Sequence, residues 1–196
     1  MRRVILLLAV MAATLVVAGG VAWAVNKIGT DGPDTLRGTN GADNLVGLGG
    51  NDRLFALRGN DNLLGGPGKD EVSGANERGV SYGGDKNLVG GPGNDFVFGG
   101  KGSDNIVGGG GNDFFFDGNE PNPSKDTLSG GDGNDAIFAW NRPAGKDLVA
   151  CGSGFDRVSA DRKDQVSPDC EKVFVGQGAI DDFFNSIPQS FFDGLP

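Results

Sequence analysis

Twelve aspartates of this 196-residue chain share one register. Asp34, Asp43, Asp52, Asp61 and Asp70 recur every nine residues, Asp95, Asp104 and Asp113 resume that spacing after a break, and Asp126, Asp135, Asp147 and Asp156 continue it with insertions. An apolar residue follows each by two positions: Leu36, Leu45, Leu54, Leu63, Val72, Val97, Ile106, Phe115, Leu128, Ile137, Val149 and Val158. In the regular units a glycine stands two positions before the aspartate and further glycines open the unit, as in GGPGNDFVF, GGKGSDNIV and GGGGNDFFF over residues 90–116. Glycine lets the backbone turn at positive φ and aim its carbonyls inward, and the aspartate adds a carboxylate. A set of carbonyl and carboxylate oxygens is what a hard dication such as calcium takes, six to eight at a time. One aspartate in a glycine-rich turn is explained as well by an Asx-turn. Twelve in one register favour a metal.

Each unit therefore reads as a six-residue turn and a three-residue strand, with the middle strand residue facing the interior. Two units close one coil of about eighteen residues. The pattern fails over 74–89, where GANERGVSY has glycine in place of the aspartate and GGDKNLV is two residues short and keeps only Leu88. That stretch reads as a damaged coil without a good metal turn. Extra residues interrupt the series again at 117–125 and 139–146, the first rich in Pro, Asn and Ser and hence a surface loop. Beyond 159 the glycines stop. Residues 160–173 read as a polar cap, and 174–196 as a phenylalanine-rich tail with an amphipathic helix over 180–187 that Pro188 ends.

The motif resembles the RTX, or haemolysin-type, calcium-binding nonapeptide repeat over about 29–159. The resemblance implies an all-β fold, a right-handed parallel β-roll of about fourteen units, binding several calcium ions between turns two units apart. By position the pairs are Asp34 with Asp52, Asp43 with Asp61, Asp52 with Asp70, Asp95 with Asp113 and Asp113 with Asp135. Asp104 with Asp126 and Asp135 with Asp156 are set apart by the insertions, and Ala56-Leu57-Arg58 at the head of a unit puts the sites of Asp61 in question. Many members are tails of toxins or proteases exported through a C-terminal signal; here nothing enzymatic precedes the repeats.

The N-terminus carries Arg2 and Arg3, an apolar run over 4–17 and an Ala22-Trp23-Ala24 cleavage site, which predicts a signal peptide over 1–24, with an uncleaved anchor as the alternative. After cleavage 15 basic residues face 26 acidic ones, a net charge of −11, with no further membrane span. That balance argues against nucleic acid and suits a cation binder. In an exported protein Cys151 and Cys170 are expected to form a disulfide, with free thiols or a redox pair as alternatives. The expected location is extracellular or at the cell surface.

The chain has no histidine, hence no Ser-His or Cys-His arrangement. The expectation is a non-enzymatic calcium-binding protein with a structural or adhesive role; the alternative is a calcium-dependent polysaccharide-acting β-helix enzyme such as a lyase. The apo chain is expected to be loosely folded, because one apolar residue per unit does not offset the ordering of so many glycines. Counting 74–89 as two units places Phe96, Phe98, Phe114, Phe116 and Phe138 outward on one sheet, with Phe55 alone on the other. Such a face needs a cover. The tail is the preferred cover, and a protein or polysaccharide partner the other.

Overall fold

The computed structural model describes residues 24–80, 83–84, 86–118, 124–141 and 144–196. The predicted signal peptide falls, but for Ala24, outside the described residues. Sixteen strands alternate between two eight-stranded parallel sheets. Sheet one holds β1 (Asn26–Ile28), β3 (Asn44–Val46), β5 (Asn62–Leu64), β7 (Asn87–Pro92), β9 (Asn105–Gly110), β11 (Thr127–Asp132), β13 (Leu148–Ser153) and β15 (Gln165–Val166). Sheet two holds β2 (Thr35–Arg37), β4 (Arg53–Phe55), β6 (Glu71–Ser73), β8 (Phe96–Phe98), β10 (Phe114–Phe116), β12 (Ala136–Phe138), β14 (Arg157–Ala160) and β16 (Lys172–Val175). This is the expected parallel β-roll. It has sixteen strands rather than about fourteen because the lead-in supplies β1 and the cap supplies β15 and β16.

The register is the one the apolar residues dictate. Leu45, Leu63, Leu88, Ile106, Leu128 and Val149 pair in series along sheet one, and Leu54, Val72, Val97, Phe115, Ile137 and Val158 along sheet two. All twelve are buried and meet in one core. Outside sheet one an asparagine ladder runs beside them: Asn62 donates to Asn44 (2.9 Å), Asn44 to Asn26 (2.7 Å) and Asn105 to Asn87 (2.6 Å).

The break at 74–89 supplies one strand, β7, and not two. β5 pairs with β7 and β6 with β8, so the stretch is a single long turn plus a strand. This corrects the placement of Phe55, which lies in β4 on the same sheet as the other five phenylalanines. The tail covers most of that face. Residues 177–179 form a 3-10 turn, followed by α1 (Ile180–Ser186) and α2 (Gln189–Phe192), divided at Pro188. Phe183, Ile187 and Phe191 are buried against Phe114, Ala136 and Phe138, with Phe96 and Phe116 packed at the margin. The tail thus holds the surface that a partner would have needed. Cys151 and Cys170 are bonded and tie the cap to the last coil.

Candidate metal centre

Alternation between sheets sorts the turns into two stacks on opposite edges of the roll. Turns entering sheet two, at 29–34, 47–52, 65–70, 90–95, 108–113, 130–135 and 151–156, are each six residues long with glycine at the fourth position. Turns entering sheet one are 38–43, 56–61, 74–86, 99–104, 117–126, 139–147 and 160–164. Every change of length in the chain falls in this second stack.

Within each stack the aspartates form a ladder. In the regular stack the backbone N–H of Asp34 donates to Oδ1 of Asp52, and the pattern repeats from Asp52 to Asp70, Asp70 to Asp95, Asp95 to Asp113, Asp113 to Asp135 and Asp135 to Asp156, at 2.7–2.9 Å. Glu171 of the cap closes the series by accepting from the N–H of Asp156 (2.8 Å). In the interrupted stack Asp43 donates to Asp61, Asp104 to Asp126, Asp126 to Asp147 and Asp147 to Asp164, at 2.6–3.1 Å. All seven expected pairs therefore come together. The insertion at 139–146 does not disturb Asp135 and Asp156, because it lies on the other edge. Asp61 keeps its place although Leu57 adopts φ 73°, a left-handed backbone that ordinarily calls for glycine.

The second carboxylate oxygen is the chemically open one. Oδ2 of Asp52, Asp61, Asp70, Asp95, Asp113, Asp135 and Asp156 is buried and accepts no hydrogen bond. In Asp52, Asp70, Asp95, Asp113 and Asp135 it lies against the glycine that opens the turn. A Cβ built on Gly65 would meet Oδ2 of Asp70 and the carbonyl of Gly90, and one on Gly108 would meet Oδ2 of Asp113 and the carbonyl of Gly130. A carboxylate oxygen and a carbonyl of the next coil thus converge beside each of these glycines. Asp34 and Asp43 differ. Thr30 donates its N–H (2.6 Å) and hydroxyl (2.9 Å) to Oδ2 of Asp34, and Thr39 does the same for Asp43. The first turn of each stack is satisfied by threonine.

Burial without a partner holds these carboxyls up. In the regular stack Asp70 is raised to about 6, Asp95 and Asp113 to about 7 and Asp135 to about 8. Desolvation is the main cause, opposed by the N–H of the preceding aspartate and reinforced by its charge. Buried oxygen donors of this kind need a proton or a cation, and an all-oxygen set suits a hard one. A family model for the RTX calcium-binding nonapeptide repeat matches four stretches, residues 28–63, 46–78, 82–115 and 122–141.

The chain belongs to the RTX calcium-binding nonapeptide repeat family. Calcium is the ion that such repeats bind, and the buried aspartates of this roll fit several ions. No curated protein matches the chain.

Two residues of the interrupted stack depart from the RTX pattern, and neither was singled out in the sequence. Lys86 occupies the aspartate position of the long turn 74–86. Its N–H donates to Oδ1 of Asp104 (2.8 Å) as an aspartate's would, and its ammonium donates to the carbonyls of Gly84 (2.8 Å) and Lys101 (3.4 Å). The side chain is buried, and its charge pulls the Asp61 carboxyl down from where desolvation puts it, leaving it at about 6. This rung carries a cation of its own. The frame was readable: Lys86 precedes Asn-Leu-Val as Asp104 precedes Asn-Ile-Val. The other residue is Asp117, which stands at the first position of its turn, where most units have glycine. It is buried with Asp126 and Asp147, and one carboxylate oxygen from each lies within 4.8 Å of the others.

Proposed function

We propose that this is an exported, non-enzymatic protein whose β-roll is assembled by calcium, with a structural or adhesive role at the cell surface. The observation that carries this reading is the column of buried Oδ2 atoms without a hydrogen-bond partner, those of Asp52, Asp70, Asp113 and Asp135 each beside a carbonyl of the next coil. Asp52, Asp61, Asp70, Asp95, Asp104, Asp113, Asp126, Asp135, Asp147 and Asp156 would supply the carboxylates. Bound calcium supplies positive charge where the stacked aspartates otherwise repel one another. The protein's part is to hold carboxylate and carbonyl oxygens together and to keep water from them.

Assembly by metal follows from the thin core. Each unit contributes one buried apolar side chain, and glycine is 37 of the 196 residues, so the ordering cost is high. Metal binding free energy then becomes folding free energy. The predicted signal peptide and the disulfide both suit an oxidising, calcium-rich exterior, where sites of this class have Kd values of about 10⁻⁴–10⁻³ M. The absence of histidine from the sequence supports a non-enzymatic role.

The test is far-UV circular dichroism of EDTA-stripped protein titrated with calcium, with magnesium as the control. A cooperative gain of β-structure at sub-millimolar to millimolar calcium is expected. A full β spectrum in EDTA that calcium leaves unchanged would sink the proposal.

A further inference from the structure

The interrupted stack contains one place where carboxylates gather more densely than the repeat requires. In a regular turn the Cβ direction of the first residue points at Oδ2 of the turn's own aspartate: a Cβ on Gly29 would lie 2.6 Å from Oδ2 of Asp34, and one on Gly38 would lie 2.6 Å from Oδ2 of Asp43. Asp117 has a carboxylate on that vector, aimed into the turn that Asp126 closes. Asp147 arrives from the next coil, its Oδ1 held by the N–H of Asp126 (2.9 Å). Asn141 donates its amide to Oδ2 of Asp117 (3.2 Å) and to Oδ2 of Asp147 (3.0 Å). Its orientation is fixed by the N–H of Gly145, which donates to its Oδ1 (2.6 Å).

Two buried oxygens remain open here. Oδ1 of Asp117, on a residue 2% exposed, has no hydrogen-bond partner. Oδ2 of Asp161, on a residue 6% exposed in the following turn, has none either, and its charge helps hold the Asp147 carboxyl up. Desolvation first, and the charges of Asp126 and Asp147 second, hold Asp117 well above the usual carboxylate range. One amide does not neutralise such a group.

We propose that Asp117, Asp126 and Asp147 form a divalent-cation site of their own, in which Asp117 is a third carboxylate, and that it takes a hard dication of calcium's class more tightly than the glycine turns do. Ligand charge count is what tunes calcium sites over orders of magnitude, and the regular stack pairs two aspartates between neighbouring turns where this site brings three carboxylates. The inference rests on the calcium reading of the repeats only for the identity of the ion.

Trp140, beside Asn141, provides a local reporter, because terbium(III) bound near an indole emits when the indole is excited. Terbium is titrated into the EDTA-stripped protein and displaced with calcium, the β-signal is followed in parallel, and Trp140→Phe assigns the emission. The expected result is Trp140-sensitised emission that saturates at metal concentrations about tenfold or more below the midpoint of the β-transition, as the coils around Asp117, Asp126 and Asp147 order first. Asp117→Asn is expected to raise that first midpoint by about tenfold or more while leaving the β-transition in place. The same variant should reach the parent's full β-signal, since asparagine keeps the shape of the side chain and its amide link to Asn141 needs no charge. An unchanged first midpoint in Asp117→Asn, or a loss of its β-signal at saturating calcium, overturns the proposal; if that variant does not fold, Asp117→Ser is read by the same two criteria. Emission that appears without any β-transition would instead overturn the metal-assembled roll and leave this site standing.

Discussion

Along one edge of the roll seven turns repeat a single six-residue plan; along the other, the turns run from five to thirteen residues, one carries lysine for aspartate and one carries aspartate for glycine. Both edges keep the same ladder of backbone N–H to carboxylate. The ladder is therefore not what demands the uniform plan. In the regular stack each turn lies on the one before with backbone against backbone: Gly93 adopts φ 149° and Gly111 φ 124°, and a Cβ on either would strike the carbonyl of the glycine one coil earlier. The other edge keeps that contact even in its longest turn, where a Cβ on Gly84 would strike the carbonyl of Gly59, but there side chains also supply charge. One edge offers an open carboxylate oxygen at every rung after the first. The other mixes such rungs with a fixed ammonium and a dense carboxylate cluster.

The largest expected effect that sharpens this contrast is that of pH on metal-free protein. Asp95, Asp113 and Asp135 have folded values of about 7, 7 and 8, above the unfolded value of 3.8. Between those limits the folded state binds more protons than the unfolded one, so stability falls as pH rises. The contribution is fully present below about pH 4 and is lost by about pH 8. Melts in EDTA should show a higher midpoint at pH 5 than at pH 8. In saturating calcium the order should reverse, because protons then compete with the ion. An EDTA midpoint that rises with pH would mean that the regular stack is not what strains the apo roll.

Next comes glycine. Gly93→Ala drives a Cβ into the carbonyl of Gly68 and is expected to cost about 3 kcal/mol in calcium, read from urea unfolding. Gly83→Ala, in the long turn, meets nothing within 4 Å and is expected to change stability by less than about 0.5 kcal/mol. Equal costs would erase the distinction between the edges. A smaller loss than at Gly93 is expected at Lys86. Lys86→Met removes hydrogen bonds to two carbonyls and the cation near Asp61, with an expected loss of about 2 kcal/mol. That loss should be nearly the same in calcium and in EDTA, since the ammonium is part of the chain; a loss seen only in calcium would make Lys86 a bystander.

Much of this was legible in the sequence. The column Leu45, Leu63, Ile106, Leu128 and Val149, the aspartate register and the covering tail all follow from spacing and composition. What failed was parity. A nine-residue count treats 74–89 as two units because GANERGVSY keeps the length of nine and GGDKNLV falls only two short, but Val80 is 47% exposed and only Leu88 enters the core. One miscounted strand moved Phe55 to the wrong sheet and hid the fact that all the irregular turns share an edge. Asp117 was passed over for a related reason: a residue inside an insertion is read as loop, whereas its position in the turn, set by its neighbours in space, aims it at Asp126.

The ladder also has a direction. Except at Asp61, whose successor is Lys86, each aspartate N–H of the ladder is capped by the carboxylate of the coil that follows it, so a coil is completed only when its successor arrives. For a chain that emerges amino end first, every coil acts as the latch of the one already made, and the last latch is Glu171, pinned near the bonded Cys170. Coils trimmed from the amino end take only their own latches with them. Trimming from the carboxyl end opens the next rung, which makes the short polar cap the keystone of a structure whose length lies almost wholly on its other side.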